Sequence, residues 1–161
     1  MAHIRKIVIV GSSGHARVAV DIAERDPALR IVGMIDSYRK AGESELGYEI
    51  LGSEENLPRL VRETGIEAGF IAIGDNWQRH LMAERIWRLL PGFEFVTLVH
   101  PSANIGREVR IARGSVLMAG ATVNVGTDIG EFCILNTGSS IDHDSSMGAF
   151  SSLGPGAVTG G

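Results

Sequence analysis

The sequence predicts two architectures in succession, an α/β domain built on a parallel sheet and then a triangular parallel β-helix of hexapeptide repeats. Before residue 100, short runs of β-branched residues alternate with amphipathic segments, which is typical of parallel strands joined by right-handed helical crossovers. After residue 100, an aliphatic residue recurs at every sixth position. That period suits neither a helix nor an isolated strand, but it suits a coil whose three sides each bury one side chain.

The first half of the chain is expected to contain four strands and three helices. The first three strands each end at a glycine or an aspartate, and the helical segments carry apolar residues on one face. The predicted strands are 6–10, 31–35, 69–73 and 93–99. The predicted helices are 15–25, 54–64 and 77–90. The segment 100–102 marks the predicted junction with the repeats.

The repeat region is expected to form about three triangular coils, because three hexapeptides complete one turn. The residue two places before each aliphatic is mostly small, and the residue directly after it is often glycine, alanine or asparagine, which suits a tight corner. The residues predicted to point inward are Ile105, Ile111, Leu117, Val123, Ile129, Leu135, Ile141, Met147 and Leu153.

Energetics predict that a single coil is not stable alone. One buried aliphatic side chain contributes roughly 1.5–3 kcal/mol, whereas ordering six residues costs about 6–12 kcal/mol. Stacked coils and contacts with other copies must supply the difference, so we expect a homotrimer. The sequence stops at Gly161, inside what reads as a further repeat. An open coil end exposes unpaired backbone edges, and we therefore expect a C-terminally truncated member of its family.

Composition argues against several classes of function. The net charge of −4, from 15 Lys+Arg and 19 Asp+Glu, disfavours a nucleic-acid-binding protein or a polybasic membrane anchor. No apolar run approaches the ~18 residues that span a bilayer, and the N-terminus lacks the pattern of a signal peptide. Cys133 is the single cysteine, so no internal disulfide can form. We expect Cys133 to be a small, inert core residue and the protein to be cytoplasmic.

A polar loop follows the first predicted strand. Its closely spaced glycines, Gly11 and Gly14, would allow backbone N–H groups and a helix N-terminus to meet an anion. The spacing differs from the dinucleotide-binding fingerprint, since Ser13 and Ala16 occupy its second and third glycine positions. A nicotinamide-dependent oxidoreductase is therefore disfavoured.

Five motifs, taken in order, resemble the sialic-acid O-acetyltransferase-like (NeuD/PglD-type) sugar acyltransferases of the hexapeptide-repeat superfamily. They are IVIVGSSGHA at 7–16, Asp36, AIGDN at 72–76, HPSA at 100–103 and LNTGSSIDHD at 135–144. The resemblance covers essentially the whole chain. It implies a Rossmann-like nucleotide-sugar-binding domain at 1–99 and a left-handed β-helix acyltransferase domain, incomplete at about three coils, at 100–161.

The resemblance also implies an activity, the transfer of an acetyl group from acetyl-CoA to an amine or hydroxyl of a sugar, often nucleotide-linked, in surface glycan or polysaccharide synthesis. His143 matches the family's general base, a role that suits an imidazole titrating near neutrality. Asp144 matches the acidic partner that orients this imidazole, and Asp142 is the competing carboxylate. Asn136 matches a family position near the site. Without the resemblance, His143 would be an exposed residue at a coil corner and Asn136 a turn asparagine.

Acceptor binding is assigned by the same resemblance to the edge of the parallel sheet. Asp36, at the end of the second predicted strand, would bind the nucleoside, with an ordinary turn aspartate as the alternative. Arg79 is either a phosphate ligand or a solvated helix arginine. The residues expected to bind the acceptor are Gly11, Ser13, Gly14, His15, Asp36, Gly74 and Asn76. No metal site is expected.

The sequence departs from the family in two places. Some members carry a second histidine nine residues after the base, where this chain has Ser152. The further coils that would complete the acetyl-CoA groove are also missing from the sequence. We therefore keep two alternatives to an acetyltransferase. One is a catalytically impaired remnant that still binds a nucleotide sugar, and the other is a purely structural solenoid, in which His143 and Asp144 would have no purpose.

Overall fold

The computed structural model describes residues 3–161 and divides into two compact units, one ending at Val96 and the other spanning Thr97–Gly161. The first unit contains a four-stranded sheet in the order β2-β1-β5-β6, in which all neighbouring pairs are parallel. Its elements are β1 (Arg5–Val10), α1 (Gly14–Ala23), β2 (Leu29–Ile35), β3 (Ser44–Glu45), β4 (Tyr48–Glu49), a 3-10 turn (Glu54–Asn56), α2 (Leu57–Thr64), β5 (Ala68–Ile71), α3 (Asn76–Leu89) and β6 (Glu94–Phe95).

The uninterrupted apolar run near the N-terminus forms β1, an interior strand of this sheet. The last four residues of β1 are each at most 1% exposed, which is the burial expected when both faces of a parallel sheet are covered. The prediction of alternating strands and helices is confirmed by β1, β2 and β5 and by the three helices. The short antiparallel hairpin of β3 and β4 was not predicted.

The predicted strand at 93–99 was wrong as a single element. The structure contains two strands there, β6 at the edge of the first sheet and β7 (Leu98–Val99), which pairs in parallel with residues 116–117 of the second unit. Val99 lies six residues before Ile105, so the six-residue register begins one repeat earlier than predicted. The 100–102 segment is therefore a corner of the second unit.

The second unit is a left-handed parallel β-helix. Each of its two-residue strands pairs in parallel with a strand 18 residues away along the chain, and the three resulting sheets form the three sides of the coil. After β7, the strands are β8 (Asn104–Ile105), β9 (Arg110–Ile111), β10 (Val116–Leu117), β11 (Thr122–Val123), β12 (Asp128–Ile129), β13 (Ile134–Leu135), β14 (Ser140–Ile141), β15 (Ser146–Met147), β16 (Ser152–Leu153) and β17 (Val158–Thr159).

The inward aliphatic residues form the core of the β-helix, as the hexapeptide period predicts. The fully buried members are Leu117, Val123, Ile129, Leu135 and Ile141, and Ile111, Met147 and Leu153 pack against them while partly exposed. Ile105 differs, since it is 44% exposed. It lies in the first coil, where a neighbouring coil covers it from one side only.

The corners use a different position from the one predicted. Left-handed backbone conformations occur at the third residue after each aliphatic, not at the first. These residues are Glu108, Gly114, Gly120, Gly126, Phe132, Gly138, Asp144, Phe150 and Gly156. The first residue after the aliphatic is small for another reason, the close approach of the next coil. A Cβ at Gly130, for example, would lie 2.7 Å from the backbone nitrogen of Ala149.

Small polar residues inside the corners satisfy backbone carbonyls of the following coil. The hydroxyl of Ser115 donates to the carbonyl of Gly130 at 2.8 Å, and the hydroxyl of Thr127 donates to the carbonyl of Asp142 at 2.9 Å. Cys133 occupies the same kind of position, fully buried, with its Sγ 3.1 Å from the carbonyl of Gly148. These bonds matter because a buried carbonyl without a partner costs about 1–3 kcal/mol.

Among residues 3–161, no helix is both long and apolar enough to span a bilayer.

Candidate functional site

A cavity of about 790 Å³ lies at the carboxyl ends of the parallel strands in the first unit. In the strand order β2-β1-β5-β6, β2 lies on one side of β1 and β5 on the other, so the strand order reverses direction at β1. Open α/β sheets bind ligands at such a switch point. The lining residues come from the ends of β1, β2 and β5, from the 3-10 turn and from one face of α3. They are Val10, Gly11, Ser12, Ser13, Ile35, Asp36, Ser37, Tyr38, Ser53, Glu54, Ala72, Ile73, Gly74, Gln78, Leu81, Met82 and Arg85.

The loop after β1 brings the N-terminus of α1 to this cavity. Gly11 has a φ of 103°, and a Cβ there would lie 2.9 Å from the carbonyl oxygen of Ala72, so only glycine fits without a shift of the backbone. Ser13 is the extended N-cap residue of α1. Because the first N–H groups of a helix have no partner within the helix, this end of the cavity is suited to an anion.

Asp36 organises the adjacent wall of the cavity. One carboxylate oxygen accepts a hydrogen bond from the Ser12 hydroxyl at 2.6 Å, and the other accepts from the backbone N–H groups of Tyr38 and Arg39 at 2.8 and 3.2 Å. Burial raises the pKa of Asp36, but these hydrogen bonds outweigh it and hold the pKa below its ordinary value. Asp36 is therefore ionised at neutral pH and ties the loop after β1 to the loop after β2.

The cavity lining also includes an ion pair, Glu54 with Arg85, that was not predicted from the sequence. The Glu54 side chain is completely buried, accepts the Ser37 hydroxyl at 2.6 Å and pairs with Arg85 at 2.8 Å. Arg85 also pairs with Glu55 at 2.6 Å. Nothing in the sequence distinguishes Glu54 from a solvated residue in the first turn of a helix. The contact depends on α3 lying beside the 3-10 turn.

The expected acceptor-binding residues separate into two groups. Gly11, Ser13, Asp36 and Gly74 line the cavity, whereas Gly14, His15 and Asn76 are not among its lining residues.

His15 lies in the first turn of α1, and its Nε2 atom is buried without a hydrogen-bond partner. Burial, and then the charge of Arg79, lower the pKa of His15 to about 4, so the ring is neutral at physiological pH.

Arg79 is neither a solvated arginine nor a lining residue of the cavity. Its side chain is 0% exposed, and one guanidinium nitrogen donates to the backbone carbonyls of Ile73 and Gly74 at 2.9 and 3.0 Å. The other donates to the Asn76 side chain at 2.8 Å. Arg79 thus holds the loop between β5 and α3 in place through these three hydrogen bonds.

A second polar cluster lies at one corner of the β-helix, directly after β14. The Nδ1 atom of His143 is 2.9 Å from a carboxylate oxygen of Asp144, and the two side chains are 60% and 78% exposed. The hydrogen bond to Asp144 and the charges of Asp142 and Asp144 raise the pKa of His143 above its ordinary value. With Nδ1 held by Asp144, Nε2 is the nitrogen left for chemistry.

The coils before and after this corner complete its surroundings. Asn124, 18 residues earlier, donates its side-chain N–H to Asp142 at 2.9 Å, and the same Asp142 oxygen accepts the backbone N–H of His143 at 2.8 Å. Gly161, 18 residues later, is so close that a Cβ there would lie 3.3 Å from Nε2 of His143. Asn124 was not among the predicted site residues, because its relation to Asp142 appears only when the coils are stacked.

Asn136 is at a different corner of the β-helix. It follows β13, its backbone N–H donates to Leu153 at 3.2 Å, and its carbonyl accepts the Ser139 hydroxyl at 2.8 Å. Within residues 3–161, no hydrogen bond joins Asn136 to His143. That same part of the chain contains no group of three or more His, Cys, Asp or Glu residues that could hold a metal ion.

Comparisons with known proteins agree with these two architectures. The PglD N-terminal domain family matches residues 6–86. The UDP-N-acetylbacillosamine N-acetyltransferase of Bacillus subtilis (strain 168) is 31% identical over 116 residues, which cover 72% of this chain and 52% of that protein. The GDP-perosamine N-acetyltransferase of Escherichia coli O157:H7 is 29% identical over 75% of this chain and 52% of its own length. The chain thus spans about half the length of the curated relatives it matches.

Solved structures extend the similarity over the whole chain. A histidine-to-alanine mutant of the GDP-perosamine N-acetyltransferase from Caulobacter crescentus, in complex with CoA and GDP-perosamine, has a TM-score of 0.88 and 34% identity, covering 100% of this chain and 74% of that one. The acetyltransferase domain of PglB from Neisseria gonorrhoeae, in complex with acetyl coenzyme A, has a TM-score of 0.82 and 28% identity, covering 96% and 72%. Because the family model matches residues 6–86, which are half of the 161 residues, this chain belongs to the PglD N-terminal domain family.

Proposed function

We propose that this protein transfers an acetyl group from acetyl-CoA to an amino group of a nucleotide-linked sugar. The observation that carries the proposal is the His143–Asp144 pair, an exposed imidazole whose Nδ1 is held by a carboxylate while Nε2 is left for a substrate. The proposal is supported by the two curated relatives, which are nucleotide-sugar N-acetyltransferases. Acetylation of an amine is favoured over acetylation of a hydroxyl because both relatives are N-acetyltransferases.

The chemistry requires one general base. Nε2 of His143 takes a proton from the sugar amine as the nitrogen attacks the carbonyl carbon of the thioester. The C–N bond forms, the C–S bond breaks, and the proton passes from the imidazolium to the departing sulfur of CoA. Asp144 orients the ring and stabilises the imidazolium, since its carboxylate lies 2.9 Å from Nδ1.

The nucleotide part of the acceptor belongs, in this proposal, to the cavity of the first unit. Its phosphates would meet the loop at Gly11 and Ser13 and the N-terminus of α1. The ribose would lie beside Asp36. Asp36 already accepts three hydrogen bonds, so its first role is to hold the binding wall in shape, and it would accept a sugar hydroxyl as one further bond.

The proposal includes assembly of three copies through the flat sides of the β-helix and a role in cytoplasmic glycan synthesis. One buried aliphatic per hexapeptide leaves a coil weakly stabilised, which favours burial of its outer sides against other copies. Asn136, at another corner from His143, remains a candidate site residue in this assembly.

One experiment tests the proposal. The protein is incubated with acetyl-CoA and a panel of UDP- and GDP-linked amino sugars, and the release of free thiol is measured. We expect turnover with one class of amino sugar, its loss in His143→Ala, and its retention in the control His100→Ala, another histidine of the β-helix. Binding of a nucleotide sugar without thiol release would contradict the transferase and support the alternative of a binding protein.

A further inference from the structure

We propose that Asn124 is a positioning residue for His143 and that it acts through the carboxylate of Asp142. The inference rests on the proposed function, in which His143 is the general base. Within residues 3–161, no hydrogen bond joins the Asn124 side chain to the imidazole of His143. Its side-chain amide donates to Oδ1 of Asp142 at 2.9 Å, across the 18 residues that separate successive coils.

The corner that contains His143 has a hydrogen bond beyond the ladder bonds of the β-helix. In the corners of the β-helix, ladder hydrogen bonds are made by the first and third corner residues, such as Asn124 N–H to Ile141 and Asp144 N–H to Val125. His143 is the second residue of its corner, and its backbone N–H donates to Oδ1 of Asp142 at 2.8 Å. A single carboxylate oxygen therefore receives both the Asn124 amide and the backbone of the base.

The two carboxylates that flank His143 therefore have different hydrogen-bond partners. Asp142 is turned toward the backbone and the preceding coil, so the ring of His143 pairs with Asp144 alone. If Asn124 released Asp142, that carboxylate could compete with Asp144 for the ring. The imidazole would then lose its single orientation, which general-base catalysis requires.

The charges around His143 make this arrangement measurable. The groups that act on its titration are Asp144 and Asp142, and both raise its pKa. The pKa of Asp142 is in turn lowered by its hydrogen bonds from His143 and Asn124. The residues of the adjoining coils at this corner, Val125, Gly126 and Gly161, carry no charged side chain.

The test follows the titration of His143 by NMR with ¹³C-labelled histidine, alongside kcat and KM for acetyl transfer. In Asn124→Ala we expect the His143 pKa to rise, because Asp142 is free to approach the ring. We also expect kcat to fall roughly tenfold, a fraction of the ~10²–10⁴ that a base supplies, with little change in KM. Asn104→Ala is the matched control, since Asn104 is an exposed asparagine of β8, the strand that pairs with β11, and its amide lies 3.5 Å from the Thr122 hydroxyl.

An exchange of the two side chains separates positioning from simple support of the fold. Asn124→Asp places two carboxylates against each other and should lower kcat at least as much as Asn124→Ala. Adding Asp142→Asn restores one amide and one carboxylate at the same place, and should recover most of the lost kcat. The proposal is overturned if Asn124→Ala titrates and turns over like Asn104→Ala, or if the exchange recovers nothing. The NMR titration needs no turnover, so a failure of the proposed function is recognised separately. No thiol release by the unsubstituted protein would contradict acetyl transfer, and an active His143→Ala variant would contradict His143 as its base.

Discussion

Gly126 lies one coil before Asp144, and a Cβ at Gly126 would come within 2.6 Å of Oδ1 of Asp144. The absence of a side chain at Gly126 thus makes room for the carboxylate that holds His143. Asp144 has a φ of 54°, a conformation that aspartate tolerates better than most residues do. Both residues have the positive φ that the corner requires, and both also determine where the carboxylate beside His143 lies.

Gly126→Ala should therefore harm activity more than stability. Gly126 and Gly138 both have positive φ, at 73° and 66°, so alanine at either position costs about 1 kcal/mol of backbone strain. Only at Gly126 does the new Cβ meet Asp144, whereas Gly138 has no atom within 4 Å of such a Cβ. We expect similar losses of thermal stability in the two variants, and a loss of acetyl transfer of about tenfold or more in Gly126→Ala alone. Equal activities would show that Asp144 can move without consequence.

Acetyl transfer should increase with pH through the titration of His143. The pKa of this histidine is raised by the hydrogen bond to Asp144 and by the charges of Asp142 and Asp144. The base must be neutral, so the acid limb of kcat/KM should lie above the ordinary histidine pKa of 6.5. In Asp144→Asn this limb should move to lower pH, because a charge that favours the imidazolium is removed, and kcat should also fall. An acid limb that does not move would exclude Asp144 as the partner of the base.

Nucleotide binding should depend on Asp36 and, to a lesser degree, on Ser12. Ser12→Ala removes the 2.6 Å hydrogen bond to Asp36, and Asp36→Ala removes that bond and those from the backbone N–H groups of Tyr38 and Arg39. We expect the Kd for a nucleoside diphosphate, measured by calorimetry, to rise about tenfold or more in Asp36→Ala and a few-fold in Ser12→Ala, since bonds to a charged group are worth about 1.5–3 kcal/mol. Asp26→Asn is the control, because Asp26 caps a turn that does not line the cavity. A Kd unchanged in Asp36→Ala would remove the cavity from the proposed function.

The first unit should lose stability in acid because of His15. Its pKa is lowered to about 4 in the folded chain, by burial and then by Arg79, against 6.5 when unfolded. Its contribution is complete above pH 6.5 and is lost as the pH falls toward 4, because the unfolded state binds the proton first. Between pH 7 and 4.5 the loss should be about 2–3 kcal/mol.

Tryptophan fluorescence in urea measures this loss, since Trp77 and Trp87 both lie in the first unit. His15→Gln should reduce the decline between the two pH values. Arg79→Met should raise the pKa of His15 by removing the charge, although it should also destabilise the loop whose carbonyls Arg79 holds. The same pH dependence in His15→Gln and in the unsubstituted protein would assign the acid loss to other groups.

Periodic features of the sequence were sufficient to predict both architectures. The six-residue period predicted which aliphatic residues point inward, and only Ile105, in the first coil, is largely exposed. The apolar runs predicted β1, β2 and β5, and the glycines around Ser13 predicted the turn that opens the cavity. Such patterns are local, because the side-chain period of an element follows from its own backbone geometry.

Contacts between elements distant in sequence were decided only by the tertiary structure. Asn124 and Asp142 are 18 residues apart and meet because a coil contains 18 residues. Glu54 and Arg85 meet because α3 lies beside the 3-10 turn, and Arg79 turns inward to carbonyls after β5 rather than toward solvent. The sequence alone determined the period, the order of strands and helices, and the candidates His143 and Asp144. The folded chain decided which polar groups share a hydrogen bond, because a hydrogen bond depends on distances of a few tenths of an ångström that no periodicity specifies.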